Sequence, residues 1–121
     1  MEFSGSQPIY LQIGDYICEN ILSGKWKEGE RIPSVRDLAI EIAVNPNTVM
    51  RTYAMLQEKQ IIVNQRGIGF FVAEKGLEKT IAYMIKHFFE VDLKNVFKMM
   101  DLLHIGIDEI QENYAKRNTK S

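Results

Sequence analysis

An asparagine followed by a proline, Asn45-Pro46, fixes the start of a helix near the middle of this chain. The asparagine side chain can accept a hydrogen bond from the first unpaired helical N–H groups, so Asn45 suits the N-cap. Proline at the first helical position loses nothing by lacking an N–H, and its fixed φ favours a helix. The first exposed turns then carry Asn47, Thr48 and Arg51. These amide, hydroxyl and guanidinium groups could read base edges, or they could belong to an ordinary solvated helix.

The residues before this start predict two further helices. Apolar residues recur every four positions from residue 9 to residue 21, as they do along one face of a helix, and a glycine at position 24 is a stop signal. Ser34 is the next N-cap, and an apolar pattern continues that second helix to about Ile42. Residues 43–44 turn the chain into the helix that begins at Pro46. The order is that of a helix–turn–helix.

A glycine-containing turn follows the third helix. Two runs rich in β-branched and aromatic residues, 61–65 and 70–73, flank the segment Arg66-Gly67-Ile68-Gly69. Glycines between such runs predict a β-hairpin. A helix–turn–helix followed by a hairpin is the winged-helix order, so the expected fold class is mainly α with a small β-hairpin. Residues 1–75 are predicted to form this winged helix-turn-helix domain.

Residues 76–121 have a purely helical pattern and are predicted to form a two-helix dimerisation tail. Asp92 can cap the second helix, whose apolar residues are spaced alternately three and four apart, as in a short coiled-coil seam. Further apolar residues widen this surface, and a helix buried on two sides needs more than one neighbour. The same helix of a second chain is the natural additional neighbour. The expected dimerisation residues are Leu93, Val96, Met100, Leu103, Ile107 and Ile110.

Composition narrows the function classes. The single cysteine, Cys18, cannot form an internal disulfide, and no apolar run is long enough to span a membrane. The chain does not begin with a signal-peptide pattern, so a cytoplasmic protein with no membrane partner is expected. His87 and His104 have no Cys, Asp or His at metal-ligand spacing, so no metal is expected. Without a nucleophile–base pair or a phosphate-binding loop, the sequence predicts no cofactor and no enzyme activity.

The charge distribution bears on a nucleic-acid partner. The net charge is −1, which argues mildly against DNA binding. However, residues 42–73 contain one acid, Glu58, and three bases, Arg51, Lys59 and Arg66. We therefore expect a locally basic surface on a nearly neutral protein. Such a surface binds DNA more weakly per protomer than a strongly basic domain does.

Four motifs combine in one order: PIYLQI, then ILSGKWKEGERIPSVRDLA, then NTV in the third helix, then RGIGFFV in the hairpin. With them, residues 8–73 resemble the DNA-binding domain of the GntR family of bacterial transcription regulators. NPNTV with a tail this short is similar to the YtrA subfamily, in which two tail helices pair the protomers. The resemblance implies a homodimeric regulator that binds a near-palindromic operator in double-stranded DNA. Repression is favoured over activation, because a bound dimer needs only to occupy a promoter.

The resemblance also implies which residues contact DNA. The arginine of the SVRDLA motif meets phosphate or base, the polar start of the third helix lies in the major groove, and the hairpin tip approaches the minor groove. Many family members carry arginines where this chain has Pro46 and Met50, so its base contacts differ from theirs. The expected DNA-binding residues are Ser34, Arg36, Asn45, Asn47, Thr48, Arg51, Arg66 and Gly67.

Side-chain chemistry gives some of these residues specific partners. Arg51 can pair bidentately with guanine and Asn47 with adenine, and each such pair discriminates by roughly 1–3 kcal/mol. Thr48 at a helix N-terminus suits a phosphate, because unpaired N–H groups and the helix dipole favour an anion.

Each interpretation has a structural alternative. Arg36 and Arg66 could be solvated surface arginines, and Tyr53 falls on the apolar face of the third helix, which favours a core position over base stacking. The Met99-Met100 pair suits a core or an interface, and it leaves open an unknown small-molecule effector between the tail helices. The rival function is a winged-helix module that binds another protein and has no DNA role.

Overall fold

The computed structural model describes residues 7–117, which form two compact units with their boundary between Met84 and Ile85. In chain order the elements are α1 (Ile9–Leu22), α2 (Val35–Ile42), α3 (Pro46–Glu58), β1 (Ile62–Gln65), β2 (Gly69–Val72), α4 (Gly76–His87), a π-helical turn (Phe88–Asp92), α5 (Leu93–Leu103) and α6 (Ile107–Lys116). The expected class, mainly α with a small β-hairpin, is confirmed. The functional division between residues 75 and 76 stays a prediction.

The two predicted helix starts of the first unit are confirmed in atomic detail. The Ser34 hydroxyl oxygen accepts a hydrogen bond from the Asp37 N–H at 3.0 Å. The Asn45 side-chain oxygen accepts one from the Asn47 N–H at 2.8 Å. Each cap satisfies one of the N–H groups that a helix start leaves unpaired. Between the two helices Ala43 adopts a left-handed conformation with φ of 57°, which ends α2 and redirects the chain into α3.

The apolar faces of α1, α2 and α3 pack together with the hairpin to form the core. Tyr53 lies within it at 1% exposure, which confirms its core position. Its hydroxyl donates to the Pro33 carbonyl oxygen at 2.6 Å, and its ring meets that of Phe70 edge-on with centroids 4.8 Å apart. The buried core residues are Ile13, Ile17, Cys18, Ile21, Ile32, Leu38, Ala39, Ile42, Val49, Tyr53, Leu56, Ile61, Ile62 and Val72.

The hairpin is extended by the residues that precede α2. Strands β1 and β2 are antiparallel, with Val63 opposite Phe71. Arg31, which precedes α2, forms an isolated antiparallel bridge with Phe71 on the edge of β2 that faces away from β1. The chain leaves the hairpin at Gly76, where α4 begins. A Cβ at this position would lie 2.8 Å from the Ile61 carbonyl oxygen, so only glycine allows α4 to start this close to the hairpin.

The single helix predicted from Asp92 onwards is wrong at two points. Asp92 does not cap a helix: its backbone is helical, with φ of −63° and ψ of −48°, and α4 continues through the π-helical turn into α5. The predicted helix also breaks after Leu103, where His104 adopts a left-handed conformation with φ of 56°. Gly106 then starts α6, and its N–H donates to the Glu109 carboxylate at 3.0 Å. A glycine followed three positions later by a glutamate was the overlooked start signal.

The predicted dimerisation residues therefore lie on two helices. Leu93, Val96, Met100 and Leu103 are on α5, whereas Ile107 and Ile110 are on α6. No residue of either helix is buried, and the side chain of Leu103 is 58% exposed. The seam is consequently not one continuous coiled-coil helix, although its members remain apolar and accessible.

Candidate nucleic-acid interface

The start of α3 presents polar side chains that the buried side of the helix orients outwards. Val49 is fully buried, so the positions on the opposite face point away from the core. Asn45, Asn47 and Arg51 are exposed, and Thr48 is half-buried. The Asn45 side-chain oxygen is occupied by the helix cap, which leaves its amide NH₂ group to donate to a ligand. The structure thus brings four of the predicted DNA-binding residues together on one helix start.

A groove runs beside this helix start, where α1 begins. Its volume is about 290 Å³, and it is lined by Pro8, Ile9, Tyr10, Asn47, Thr48 and Arg51. The Arg51 guanidinium lies over the Tyr10 ring, with 3.8 Å between its central carbon and the ring centroid. This distance is that of a cation–π contact. The buried Thr52 hydroxyl donates to the Tyr10 carbonyl oxygen at 2.7 Å and so holds α1 against α3.

The first turn of α2 carries two more predicted residues. Arg36 is exposed, while Ser34 is half-buried and uses its hydroxyl oxygen to cap the helix. That cap leaves the hydroxyl proton of Ser34 available to an acceptor such as a phosphate oxygen. An acidic neighbour, Asp37, lies in the same turn and reduces the local positive potential.

The hairpin tip carries the last two predicted residues. Arg66 and Gly67 are both exposed, and the Ile68 N–H donates to the Gln65 carbonyl oxygen at 2.9 Å to close the turn. Gly67 has φ of 81°, a left-handed conformation in which a side chain would be strained. The tip therefore exposes one arginine and one stretch of backbone without a Cβ.

Sequence patterns missed two residues at this surface, Tyr10 and Arg31. The Arg31 guanidinium lies against the hairpin, and a Cβ at Gly69 would come within 2.9 Å of its Nε. Tyr10 lies off the isoleucine stripe of α1, so periodicity gave it no role. Both contacts join residues far apart in the sequence, and no local signal could have identified them.

The remaining titratable groups of residues 7–117 include no candidate metal site. No cluster of three or more His, Cys, Asp or Glu residues there could hold a metal ion, and no helix there is long and apolar enough to cross a membrane. Nδ1 of His87 lies 3.7 Å from the Asp92 carboxylate on the next turn. Burial, together with the nearby carboxylates of Asp15 and Glu19, raises the pKa of the Cys18 thiol to about 12, so this cysteine is not an activated nucleophile.

Three helices, a hairpin and an exposed polar start to the third helix define a winged helix-turn-helix protein. This chain belongs to the GntR family of bacterial regulatory proteins, whose family model matches residues 9–72. The chain is similar to the HTH-type transcriptional repressor YtrA of Bacillus subtilis, with 45% identity over 69 residues. That match covers 57% of this chain and 53% of the repressor. The chain spans 53% of the length of this repressor and 61% of the length of a second curated relative, an HTH-type transcriptional regulator of the same organism.

Some solved structures resemble more of the chain than these curated relatives do. A GntR family transcriptional regulator from Listeria monocytogenes is 35% identical, with a TM-score of 0.74 over 94% of this chain and 98% of that one. The DNA-binding domain of AraR, crystallised with its operator ORR3, is 25% identical, with a TM-score of 0.55 over 60% of this chain and 88% of that one. These relatives are transcription regulators and not enzymes.

Proposed function

We propose that this protein is a cytoplasmic, homodimeric regulator of transcription that binds a near-palindromic operator in double-stranded DNA. The observation that carries the proposal is the exposed polar start of α3 on a winged helix-turn-helix fold. Support comes from the family match and from the AraR domain, whose similar fold was crystallised with operator DNA. No catalytic, metal or cofactor role is part of the proposal.

In the major groove, α3 reads the base edges. Arg51 donates bidentately to guanine and Asn47 pairs with adenine, the two side-chain types that suit these bases. Thr48 and the amide group of Asn45 contact the adjacent phosphates or base edges at the start of the helix. Because Pro46 and Met50 donate no side-chain hydrogen bonds, few groups of this helix read bases directly. The operator therefore contains few strongly specified base pairs per half-site.

Contacts outside the recognition helix position the protein on the duplex. Arg36 and the Ser34 hydroxyl bind phosphate at the start of α2, while Arg66 and the Gly67 backbone approach the minor groove from the hairpin tip. Such contacts fix register and orientation, and they contribute most of the salt dependence. Arg31 lies beside the hairpin and adds another positive charge to this surface.

The second unit pairs the protomers. Its helices expose large apolar side chains at many positions and bury none, a surface that soluble monomers rarely leave in water. A second copy of the same surface covers it with two-fold symmetry. The interface residues are Leu93, Val96, Met100, Leu103, Ile107 and Ile110. Two-fold pairing places the half-site centres about 34–36 Å apart, or a multiple of the helical turn.

Repression is the regulatory outcome that a bound dimer achieves by occupying a promoter. The similar YtrA protein of Bacillus subtilis is named as a repressor, which supports the same sign of regulation here.

A small-molecule effector that binds between the tail helices would alter pairing and thereby operator affinity. Ligands that change the sedimentation coefficient of the protein would identify such an effector.

The test begins with selection of bound sequences from random duplex DNA at two salt concentrations. Enrichment of a palindrome with fixed spacing is expected. On the selected duplex, Arg36→Ala and Arg66→Ala should weaken binding of all sequences and lower the slope of log affinity against log salt by about one each. Asn47→Ala and Arg51→Ala should instead relax discrimination at one base pair each.

A matched control is Arg117→Ala, which removes the same charge from an exposed arginine at the end of α6 and should leave the salt slope unchanged. Absence of an enriched motif, or base discrimination that survives both Asn47→Ala and Arg51→Ala, would contradict groove readout by α3.

A protein-binding module is the second candidate function. The exposed apolar side chains Ile40 on α2 and Met50 on α3 favour it, since a DNA-reading surface does not need them. This function predicts partner binding that survives Arg36→Ala and Arg66→Ala but fails after Met50→Lys. Enrichment of a DNA motif that depends on Arg51 would decide against it.

A further inference from the structure

The ring of Tyr10, at the start of α1, lies under the arginine that reads DNA in the proposed function. We propose that Tyr10 is a positioning residue: it holds the Arg51 guanidinium in one place and thereby sets the base selectivity of α3. The inference rests on the proposed function and deepens it, since it names a determinant of which base pair is recognised.

The backbone at Tyr10 is fixed independently of Arg51. The Thr52 hydroxyl is fully buried and donates to the Tyr10 carbonyl oxygen at 2.7 Å, while the Thr48 carbonyl oxygen lies 3.1 Å from the same hydroxyl. A hydroxyl has one proton to donate, so the shorter contact is the main hydrogen bond. This bond ties the first turn of α1 to the middle of α3. It fixes the backbone from which the Tyr10 ring extends to Arg51.

The contact leaves Arg51 competent to bind DNA. At 3.8 Å between its central carbon and the ring centroid, the guanidinium is close enough to stack with its face on the ring, an arrangement in which the N–H donors, which lie in the guanidinium plane, remain available. The planar group can then present two parallel N–H bonds to guanine O6 and N7. Arg51 is exposed, and no ion pair with it is formed by the residues 7–117. The ring accordingly restricts an arginine that would otherwise sample many rotamers.

The groove between α1 and α3 fits the same role. Its walls combine Pro8, Ile9 and Tyr10 with the predicted contact residues Asn47, Thr48 and Arg51. It is open to solvent and largely apolar, so it excludes water from one side of Arg51 without sequestering its donors. Partial exclusion of water strengthens a cation–π contact relative to one that is fully solvated.

Two substitutions at Tyr10 separate ring support from other roles. Tyr10→Phe keeps the ring and removes only the hydroxyl, whereas Tyr10→Leu keeps apolar bulk and removes the π face. The measurement is the dissociation constant of each variant for the duplex that wild type selects from random DNA. The same constant is measured for duplexes with one substitution at each position, and Arg51→Ala identifies the base pair that depends on Arg51.

Tyr10→Leu should lower discrimination at the Arg51-dependent base pair by roughly two- to fivefold, the effect of one exposed cation–π contact. Other positions should keep their discrimination, and Tyr10→Phe should match wild type. In an Arg51→Ala background, Tyr10→Leu should have no further effect on discrimination. Tyr83→Leu is the matched control, because it removes a ring that Lys59 overlies at 4.9 Å at the far end of α3.

Three results would overturn the inference. The first is unchanged base-pair discrimination in Tyr10→Leu. The second is a loss of discrimination in Tyr10→Leu that is equal at all positions and also occurs in the Arg51→Ala background. The third is a loss in Tyr10→Phe as large as the loss in Tyr10→Leu. The last result would assign the role to the hydroxyl. If wild type itself enriches no motif, the proposed function fails together with the inference. If wild type enriches a motif and Tyr10→Leu reads it unchanged, only the inference fails.

Discussion

The two units of this molecule differ in the burial of their apolar side chains. Within residues 7–84 of the first unit, fourteen hydrophobic residues are buried in one core, and Tyr53, Leu56 and Val72 are almost inaccessible to water. Helices α5 and α6 of the second unit bury none of theirs, and Leu102 is 64% exposed. Burial of apolar surface contributes about 25 cal/mol per Å², so only the first unit gains substantial stability from its own chain.

This difference suits the separate tasks that the proposed function gives to the two units. A unit with its own core can hold α3 and the hairpin tip rigidly, as readout of base edges requires. A unit with an uncovered apolar surface gains stability only when another surface covers it. We therefore expect the first unit to be stable at any protein concentration and the second to depend on association.

The largest expected effect is the loss of core packing in the first unit. Leu56→Ala should lower the free energy of unfolding by about 2–5 kcal/mol at every protein concentration, because the cavity cannot be filled by solvent. Leu103→Ala, the same substitution at an exposed position of the proposed interface on α5, should act only by weakening association. Chemical denaturation at several protein concentrations distinguishes the two. A concentration-independent loss in Leu103→Ala would mean that the second unit has a core of its own.

The next effect is on pairing. Leu103→Asp should raise the dimer dissociation constant at least about a hundredfold, because a charge would be buried in an apolar interface without a partner. Sedimentation velocity should then show a monomer. Asn95→Asp adds the same carboxylate at an exposed polar position of α5 and should remain dimeric. A dimer in the Leu103→Asp variant would place the interface elsewhere.

A smaller effect concerns one hydrogen bond of the first unit. Tyr53→Phe removes the hydroxyl that donates to the Pro33 carbonyl oxygen and should cost about 0.5–1.5 kcal/mol of stability. Dimerisation should not change, since the ring and its contact with Phe70 remain. Thermal unfolding and sedimentation of the same sample measure both quantities. An unchanged stability would show that the carbonyl oxygen finds another donor.

The last effect is absent near neutral pH and appears only at high pH, in the first unit. Burial raises the pKa of Cys18 from 9.0 to about 12, so above about pH 9 the unfolded chain releases a proton that the folded chain retains. Stability is therefore full below about pH 9 and falls as the pH rises towards about 12. Tyr83, whose pKa burial raises from 10.0 to about 12, adds to the same loss. Urea titrations of wild type and Cys18→Ala should show a shallower fall in the variant, and equal slopes would contradict this.

Sequence predicted the structure well wherever a local signal decides the local conformation. Ser34 and Asn45 were identified as caps because their side chains bond to N–H groups two or three residues away. The core positions followed from periodicity, and Val49 and Leu56 are both buried. The helix boundaries of the tail were harder to predict. Asp92 has the chemistry of a cap but lies in a π-helical turn, and the break at His104 depends on a left-handed residue that is not a glycine.

The candidate site was predictable only in part. Its polar residues could be located because the start of α3 is fixed by Asn45, and the family resemblance added Arg36 and Arg66. The support of Arg51 by Tyr10 joins two helices distant in the sequence, and only the packing of α1 on α3 reveals it.

The division of labour between the two units is tested most directly by one paired selection. Wild type and Leu103→Asp are each allowed to select bound sequences from random duplex DNA under the same conditions. If the first unit reads DNA and the second unit pairs protomers, wild type should enrich a two-fold symmetric site. The Leu103→Asp variant should enrich the same half-site singly and with lower affinity. A symmetric site selected by both proteins, or by neither, would contradict the account.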